Sequence, residues 1–327
     1  MQLIIKRIVD SFNSFKSNHL KLGISKIDLS KLESFKSPFE QSLIFLMVFA
    51  LAFVGNAEAA TATNANLKAQ QLINKHDQLA DQLKSNQFNR ELYITSSESD
   101  TNLKGEIYAV VDYPFATVNR GLNDASHWCD VLILHINIKY CYAQPGTANT
   151  VLTVDLGKKF EQALDDTYRV NFNYTPIASS EDYFALALNA KDGPLGTHDY
   201  KILVEATPLS AKRTFLHYTY TYSFGLKGQV AMKTYLATTG RKKIGFTQVN
   251  DQGGETQYIQ GVRGVIERNT MRYYLAIVAY LASPQQEKRF VHWYDSTNQY
   301  SRQLKEVERA DYLAMKRKEY QRQQTQQ

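Results

Sequence analysis

Short runs rich in β-branched and aromatic residues follow one another from Leu92 to Ile266, and that succession commits the chain to a sheet-dominated fold. The runs cover 92–97, 105–113, 137–143, 150–156, 168–177, 183–188, 199–209, 215–225, 229–237, 242–249 and 258–266. Val, Ile, Tyr, Phe and Thr suit a pleated surface with one buried face. Turn signals such as Lys191-Asp192-Gly193-Pro194 and Gln252-Gly253-Gly254 separate the runs, and short connections of this kind join antiparallel neighbours. The expectation is an antiparallel meander. Within 215–224, Leu216, Tyr218, Tyr220, Tyr222 and Phe224 fall on one face, and His217, Thr219, Thr221 and Ser223 on the other. The ring stripe reads either as core or as a wall facing a ligand. The chain has 21 Tyr and 16 Phe, enough rings with polar tips to line a cavity.

Helical periodicity interrupts this pattern in a few places. Phe115 to Asn123, following Pro114, reads as a short helix. Thr270 to Ala282 repeats Met271, Leu275 and Val278 at helical spacing and is apolar nearly all round, so it belongs inside the protein, against the concave side of the sheet. Asn269 is a suitable N-cap, and Ser283-Pro284 a stop. From Gln285 to Arg322, Phe290, Trp293, Tyr300, Leu304 and Val307 form one apolar stripe of a long surface helix, with last turns expected to fray into solvent. Leu72, Ile73, Leu79 and Leu83 share a side of an amphipathic segment, read as a helix outside the main domain or as a partly ordered tether.

The N-terminal region reads as an export signal. Lys6, Arg7, Lys16, Lys21, Lys26, Lys31 and Lys36 precede the apolar run Ser42 to Val54, and Ala57-Glu58-Ala59 offers a small-residue cleavage site. A spanning helix needs roughly 20 apolar residues, and Gly55, Asn56 and Glu58 interrupt sooner. Cleavage near Ala59 places the remainder in the periplasm or outside the cell; an uncleaved membrane anchor is the rival reading. The organisation is therefore 1–59 signal peptide with an extended basic region, 60–89 linker and amphipathic helix, 90–283 main domain, and 284–327 helical extension. The formal charge of +6 is partly carried by the first segment and makes no case for nucleic acid. Cys129 and Cys141 fall in the exported part, where a close pair is a disulfide candidate. One continuous strand, rising roughly 3.3 Å per residue, would hold them too far apart. A bridge therefore requires a helical turn or bend near Trp128–His135; two buried free thiols are the alternative.

Three stretches carry a family likeness: VDYPFATVNRGLNDASHWCDVLILHINIKYC at 111–141, TYSFGLKGQVAMKTYLATTGRKKIGF at 221–246 and GVRGVIERNTMRYYLAIVAYL at 261–281. Their order resembles the START-like (SRPBCC) superfamily of helix-grip proteins, particularly a group of exported proteobacterial proteins. The resemblance covers residues 90–283. It implies an α+β fold, a curved antiparallel sheet wrapped around a long C-terminal helix, with a cavity between them for lipids, sterols, polyketides or similar molecules. The extra amphipathic helix after Pro284 departs from that plan and would cover a cavity entrance or hold a partner.

Motifs for chemistry are sparse. His127, Cys129 and His135 lack metal-ligand spacing, so no metal site is expected, and a disulfide would remove the thiol from any Cys/His nucleophile pair. Asp165-Asp166 and Glu181-Asp182 read as solvated turn formers rather than an acid/base pair. Gly253-Gly254 lacks the context of a phosphate loop, and no cofactor is expected. Arg263, Glu267, Arg268 and Arg272 cluster at the entry to the apolar helix, either holding an anionic head group or fixing the strand-to-helix corner. Arg241-Lys242-Lys243 and Lys316-Arg317-Lys318 read as solvated faces or as contacts to an anionic membrane surface. The leading expectation is a non-catalytic carrier of a hydrophobic small molecule or lipid. Tyr218, Tyr222, Phe224, Tyr235 and Tyr274 would line its pocket, with Arg263 and Arg272 at the polar end. An envelope protein-interaction module and an enzyme acting on a polyketide-like or aromatic substrate are the alternatives.

Overall fold

The computed structural model describes residues 64–325, apart from 145–149, 239, 241–242 and 251–255. The signal or anchor segment, the Gln252-Gly253-Gly254 turn, Arg241, Lys242 and the Tyr235 side chain lie outside the described residues. The chain opens with helix α1 (64–78) and a short α2 (Ala80–Lys84). Strands β1 (Leu92–Glu98) and β2 (Asn102–Val111) form a hairpin, and helices α3 (Phe115–Leu122) and α4 (Ala125–Leu132) follow. Six strands then run in succession: β3 (Ile138–Gln144), β4 (Thr150–Leu156), β5 (Tyr168–Ser179), β6 (Phe184–Asp192), β7 (Thr197–Ser210) and β8 (Arg213–Phe224). Helix α5 (Leu226–Ala237) and a small hairpin, β9 (Gln248–Asn250) with β10 (Thr256–Tyr258), lead to the long α6 (Gly261–Ala282). The extension folds as α7 (Gln286–Asn298), α8 (Ser301–Leu304) and α9 (Arg309–Thr325).

The main sheet has the order β1-β2-β8-β7-β6-β5-β4-β3, and every pair is antiparallel. The α3–α4 crossover carries the chain from β2 to the far edge, and the meander returns until β8 pairs with β2. Helix α6 lies across the inner face against β1, β2 and β8. Its approach to β2 is close enough to require glycine: a Cβ at Gly105 would sit 2.2 Å from Thr270 Oγ1. The alternation in β8 decides which side chains face the helix. Leu216, Tyr218, Tyr220 and Tyr222 are buried in the main core. On the opposite face Phe215 packs with Ala65, Ala69, Leu72, Leu79 and Leu83 of the N-terminal helical segment, so that segment covers the outside of the sheet instead of tethering it.

Helix α4 supplies the turn that the cysteines need. Cys129 and Cys141 are bridged, with Cα atoms 5.1 Å apart, which ties α4 to β3. Trp128 anchors the same turn by donating from Nε1 to the Leu122 carbonyl at 2.7 Å.

Several local expectations are corrected. Residues 229–237, expected as strand, belong to helix α5, because a short apolar run has no strong period. Of 242–249 only the last two residues join a strand, and 258–266 contributes one strand residue before α6 begins. Helix α6 starts at Gly261 with Gln260 as N-cap, more than two turns before Asn269, because its first turns pack on the sheet rather than needing a side-chain cap. The extension breaks into three helices, and its last one does not fray: Lys316 and Glu319 are fully buried and Gln323 nearly so.

Candidate functional site

A cavity of about 370 Å³ lies beside α6, between the sheet and the elements that follow it. Its aromatic wall is Tyr200 from β7 with Tyr220 and Tyr222 from β8. The strands place these rings together because Ile202 pairs with Tyr220, and Tyr200, at the register shift between His198 and Lys201, comes to lie beside Tyr222. Tyr200 stacks on Tyr222 at 5.1 Å, and Tyr220 packs against Tyr273 of α6 at 5.3 Å. Such ring contacts fix orientation as well as burying area. Tyr200 Oη and Thr197 Oγ1 share a hydrogen bond of 2.7 Å, whereas the Tyr220 and Tyr222 hydroxyls have no hydrogen-bond partner among the described residues. Burial pushes all three phenols up, Tyr200 to about 12, so each is a neutral donor at physiological pH.

The rest of the lining carries charge. Arg268, Asn269 and Arg272 reach in from α6, Lys159 from the β4–β5 connection, and Glu306 from the linker between α8 and α9. Glu306 Oε1 accepts from Arg272 Nη2 at 2.8 Å, and Oε2 takes Lys159 Nζ at 2.7 Å and Lys243 Nζ at 2.9 Å. Burial works against the Glu306 carboxylate, yet Arg272 and Lys159 together hold it below its ordinary value. Burial also lowers Lys159, opposed by Glu306. At the mouth, Gly228, Ala231 and Met232 of α5 meet Leu195 in a tight turn. Leu195 has φ +56 and is 72% exposed, with Leu226 and Val230 of α5 also exposed.

Of the residues put forward from the sequence, Tyr222 and Arg272 line this cavity and the other described candidates do not. Tyr218 is buried behind Tyr273, at 6.4 Å between rings, and its hydroxyl has no partner among the described residues. Phe224 is buried at the end of β8 and does not line the space. Tyr274 points to the other side of α6, where burial raises its phenol and Arg90 opposes that rise. Arg263 donates to the Ser96 hydroxyl at 3.1 Å and its carbonyl at 2.8 Å. Glu267 accepts from Ser96, from the Phe246 and Thr247 amides, and from the Thr247 hydroxyl. Those two residues fix the corner where 244–247 meets the helix. The lining is accordingly more polar than the ring-lined apolar pocket expected. Tyr220 was legible in the β8 alternation and Tyr200 in the matching alternation of 200–206. Lys159 and Glu306 carry no local signal.

Behind the tyrosines, His135 stacks on Tyr273 at 4.5 Å and accepts from the Asn137 amide at 3.2 Å. Burial holds its imidazole well below the usual range. Among the described residues no cluster of three or more His, Cys, Asp or Glu is placed to hold a metal ion.

No protein-family model matches the sequence, and no curated protein sequence does. Similar solved structures include a Streptomyces aromatase/cyclase (12% identity, 58% of this chain and 91% of the other, TM-score 0.32). Human StAR-related lipid transfer protein 5 is another (9% identity, 67% and 97%, TM-score 0.32). A norcoclaurine synthase from Thalictrum flavum is a third (15% identity, 44% and 89%, TM-score 0.30). Superpositions this loose carry no argument about ligand or chemistry, so the topology must decide. A single antiparallel sheet of order 1-2-8-7-6-5-4-3 closes on one long C-terminal helix, with the crossover helices between β2 and β3. The chain has a helix-grip arrangement, an α+β fold in which one antiparallel sheet packs on one long helix. In this chain the long helix is followed by α7–α9, and that extension itself supplies Glu306 to the cavity wall.

Proposed function

We propose that this protein is an exported, non-catalytic START-like binding protein that holds one amphipathic molecule, a lipid or similar hydrophobic small molecule. The observation that carries the reading is the pairing of two kinds of lining around one cavity, the rings of Tyr200, Tyr220 and Tyr222 together with the cations Arg272 and Lys159. The volume of about 370 Å³ falls in the range of small-molecule sites, roughly 300–1,000 Å³. An apolar body against the rings gains about 0.8 kcal/mol per buried methylene, and a polar head meets Arg272. Export is supported by the basic and apolar N-terminal pattern and by the Cys129–Cys141 bridge, since such bridges persist in oxidising compartments. The exposed Leu195, Leu226 and Val230 beside the mouth suit contact with a membrane from which a lipid is taken.

Native mass spectrometry of the full chain purified from its own envelope tests the reading. A co-purifying small molecule is expected, with reduced occupancy in Tyr222→Ala. Absence of any bound mass, together with no displacement of an environment-sensitive apolar dye by lipid extract, would overturn it.

A further inference from the structure

Glu306 is the only acidic residue among the described residues lining the cavity, and cations outnumber it. Two ammonium groups, Lys159 and Lys243, meet on its Oε2 alone, before Arg272 on Oε1 is considered. An ammonium carries three donors, and among the described residues each lysine is paired with this carboxylate only. Lys159 itself lines the cavity. Its proton is disfavoured first by burial and then also by Arg272 and Lys243, against the pull of Glu306, which is what crowded cations under one carboxylate produce. The carboxylate sits on a short non-helical linker, 305–308, held there by a hydrogen bond of 3.2 Å from the Tyr294 hydroxyl to the Val307 carbonyl. Such a segment moves at small cost compared with a helix or strand.

We propose that the cavity selects an amphipathic anion, with a carboxylate or phosphate head on an apolar body, and that Glu306 is a built-in counter-ion which this head displaces. The inference rests on the binding reading above and adds the class of ligand and a gate. A phosphate or carboxylate accepts several charge-assisted hydrogen bonds at once, so it satisfies the same three cations, while the rings of Tyr200, Tyr220 and Tyr222 hold its body. Displaced Glu306 carries the linker outward and couples occupancy to the position of α9's first turn.

Three fluorescent probes with one alkyl chain and different heads (carboxylate, phosphate monoester, alcohol) are titrated into the full chain, into Glu306→Gln and into Lys159→Met. Both anionic probes are expected to bind about tenfold more tightly than the alcohol, and Glu306→Gln to tighten them by about another tenfold without changing the alcohol. Lys159→Met weakens the anionic probes and spares the alcohol; this arm decides alone if Glu306→Gln does not fold. The ratio of the two anionic affinities identifies the head group. Equal binding of all three probes, or anionic binding that Glu306→Gln leaves unchanged or weakens, overturns the anion gate while leaving the binding reading intact. Failure of every probe, the alcohol included, overturns both.

Discussion

Two glutamates of the C-terminal extension each take two lysines, in different surroundings. Glu319 accepts from Lys139 Nζ at 2.8 Å and Lys316 Nζ at 2.7 Å, and all three side chains are buried. There the spare ammonium donors go to backbone: Lys139 to the Ile136 carbonyl, and Lys316 to the carbonyls of His135 and Ile138. At Glu306 the lysines are 30% and 23% exposed, and neither has such backbone acceptors among the described residues. The first cluster is closed by the protein's own groups and fixes α9 onto β3. The second retains donors that only solvent or a ligand satisfies. A pair of lysines on one carboxylate thus makes a clasp in one place and, with Arg272 added, a candidate binding site in the other, and the hydrogen bonds around each draw the distinction.

The sharpest way to break this comparison is to neutralise each carboxylate in turn. Glu319→Gln leaves two buried ammonium groups facing each other and is expected to cost about 3–5 kcal/mol, read as a lower urea midpoint. A loss no larger than that of Glu306→Gln would remove the distinction. The next effect is on pH dependence. Burial, with Lys139 adding to it, lowers Lys316 from 10.5 to about 8 against the pull of Glu319. Between those values the unfolded chain holds more protons than the folded one, so this group makes stability rise with pH across that window. Wild type should gain roughly 2 kcal/mol relative to Lys316→Met between pH 8 and 10.5; a flat difference would show that burial does not govern this lysine.

Glu306→Gln is expected to lower stability by about 1–2 kcal/mol, because Lys159 and Lys243 regain water while the buried Arg272 keeps an amide oxygen there together with Asn269 and the Leu304 carbonyl, and thermal melts at neutral pH measure it. The smallest contrast concerns phenols. Tyr312 donates to the Leu134 carbonyl at 2.7 Å in the closed region, so Tyr312→Phe should cost about 1 kcal/mol. Tyr222→Phe should stay within about 0.5 kcal/mol, since its hydroxyl has no partner among the described residues. Equal losses from the two substitutions would mean that the cavity tyrosines are ordinary core.

Much of the sheet was legible because strand periodicity is local: the β8 alternation and the turn signals are contained in short stretches of sequence. Segment 229–237 was misread for the same reason, since a short apolar run fits strand and helix alike. The end of the chain was misjudged on composition. Lys316-Arg317-Lys318 looks solvated in sequence, and Arg317 and Lys318 are exposed whereas Lys316 is buried. Arg272 was recoverable from its place on an apolar helix. Glu306 was not, because nothing near it in sequence announces the three cations that meet it.

The sequence by itself determined an antiparallel sheet, an apolar helix after it, and the condition that a Cys129–Cys141 bridge needs a turn between them, all of which follow from period, propensity and chain geometry over short distances. The tertiary structure alone decided which tyrosines face the cavity, that Arg263 and Glu267 hold a corner, and that Glu306 meets Lys159, Lys243 and Arg272. Those outcomes depend on charge and volume brought together from distant parts of the chain, and the field at a side chain is set by its neighbours in space rather than by those in sequence.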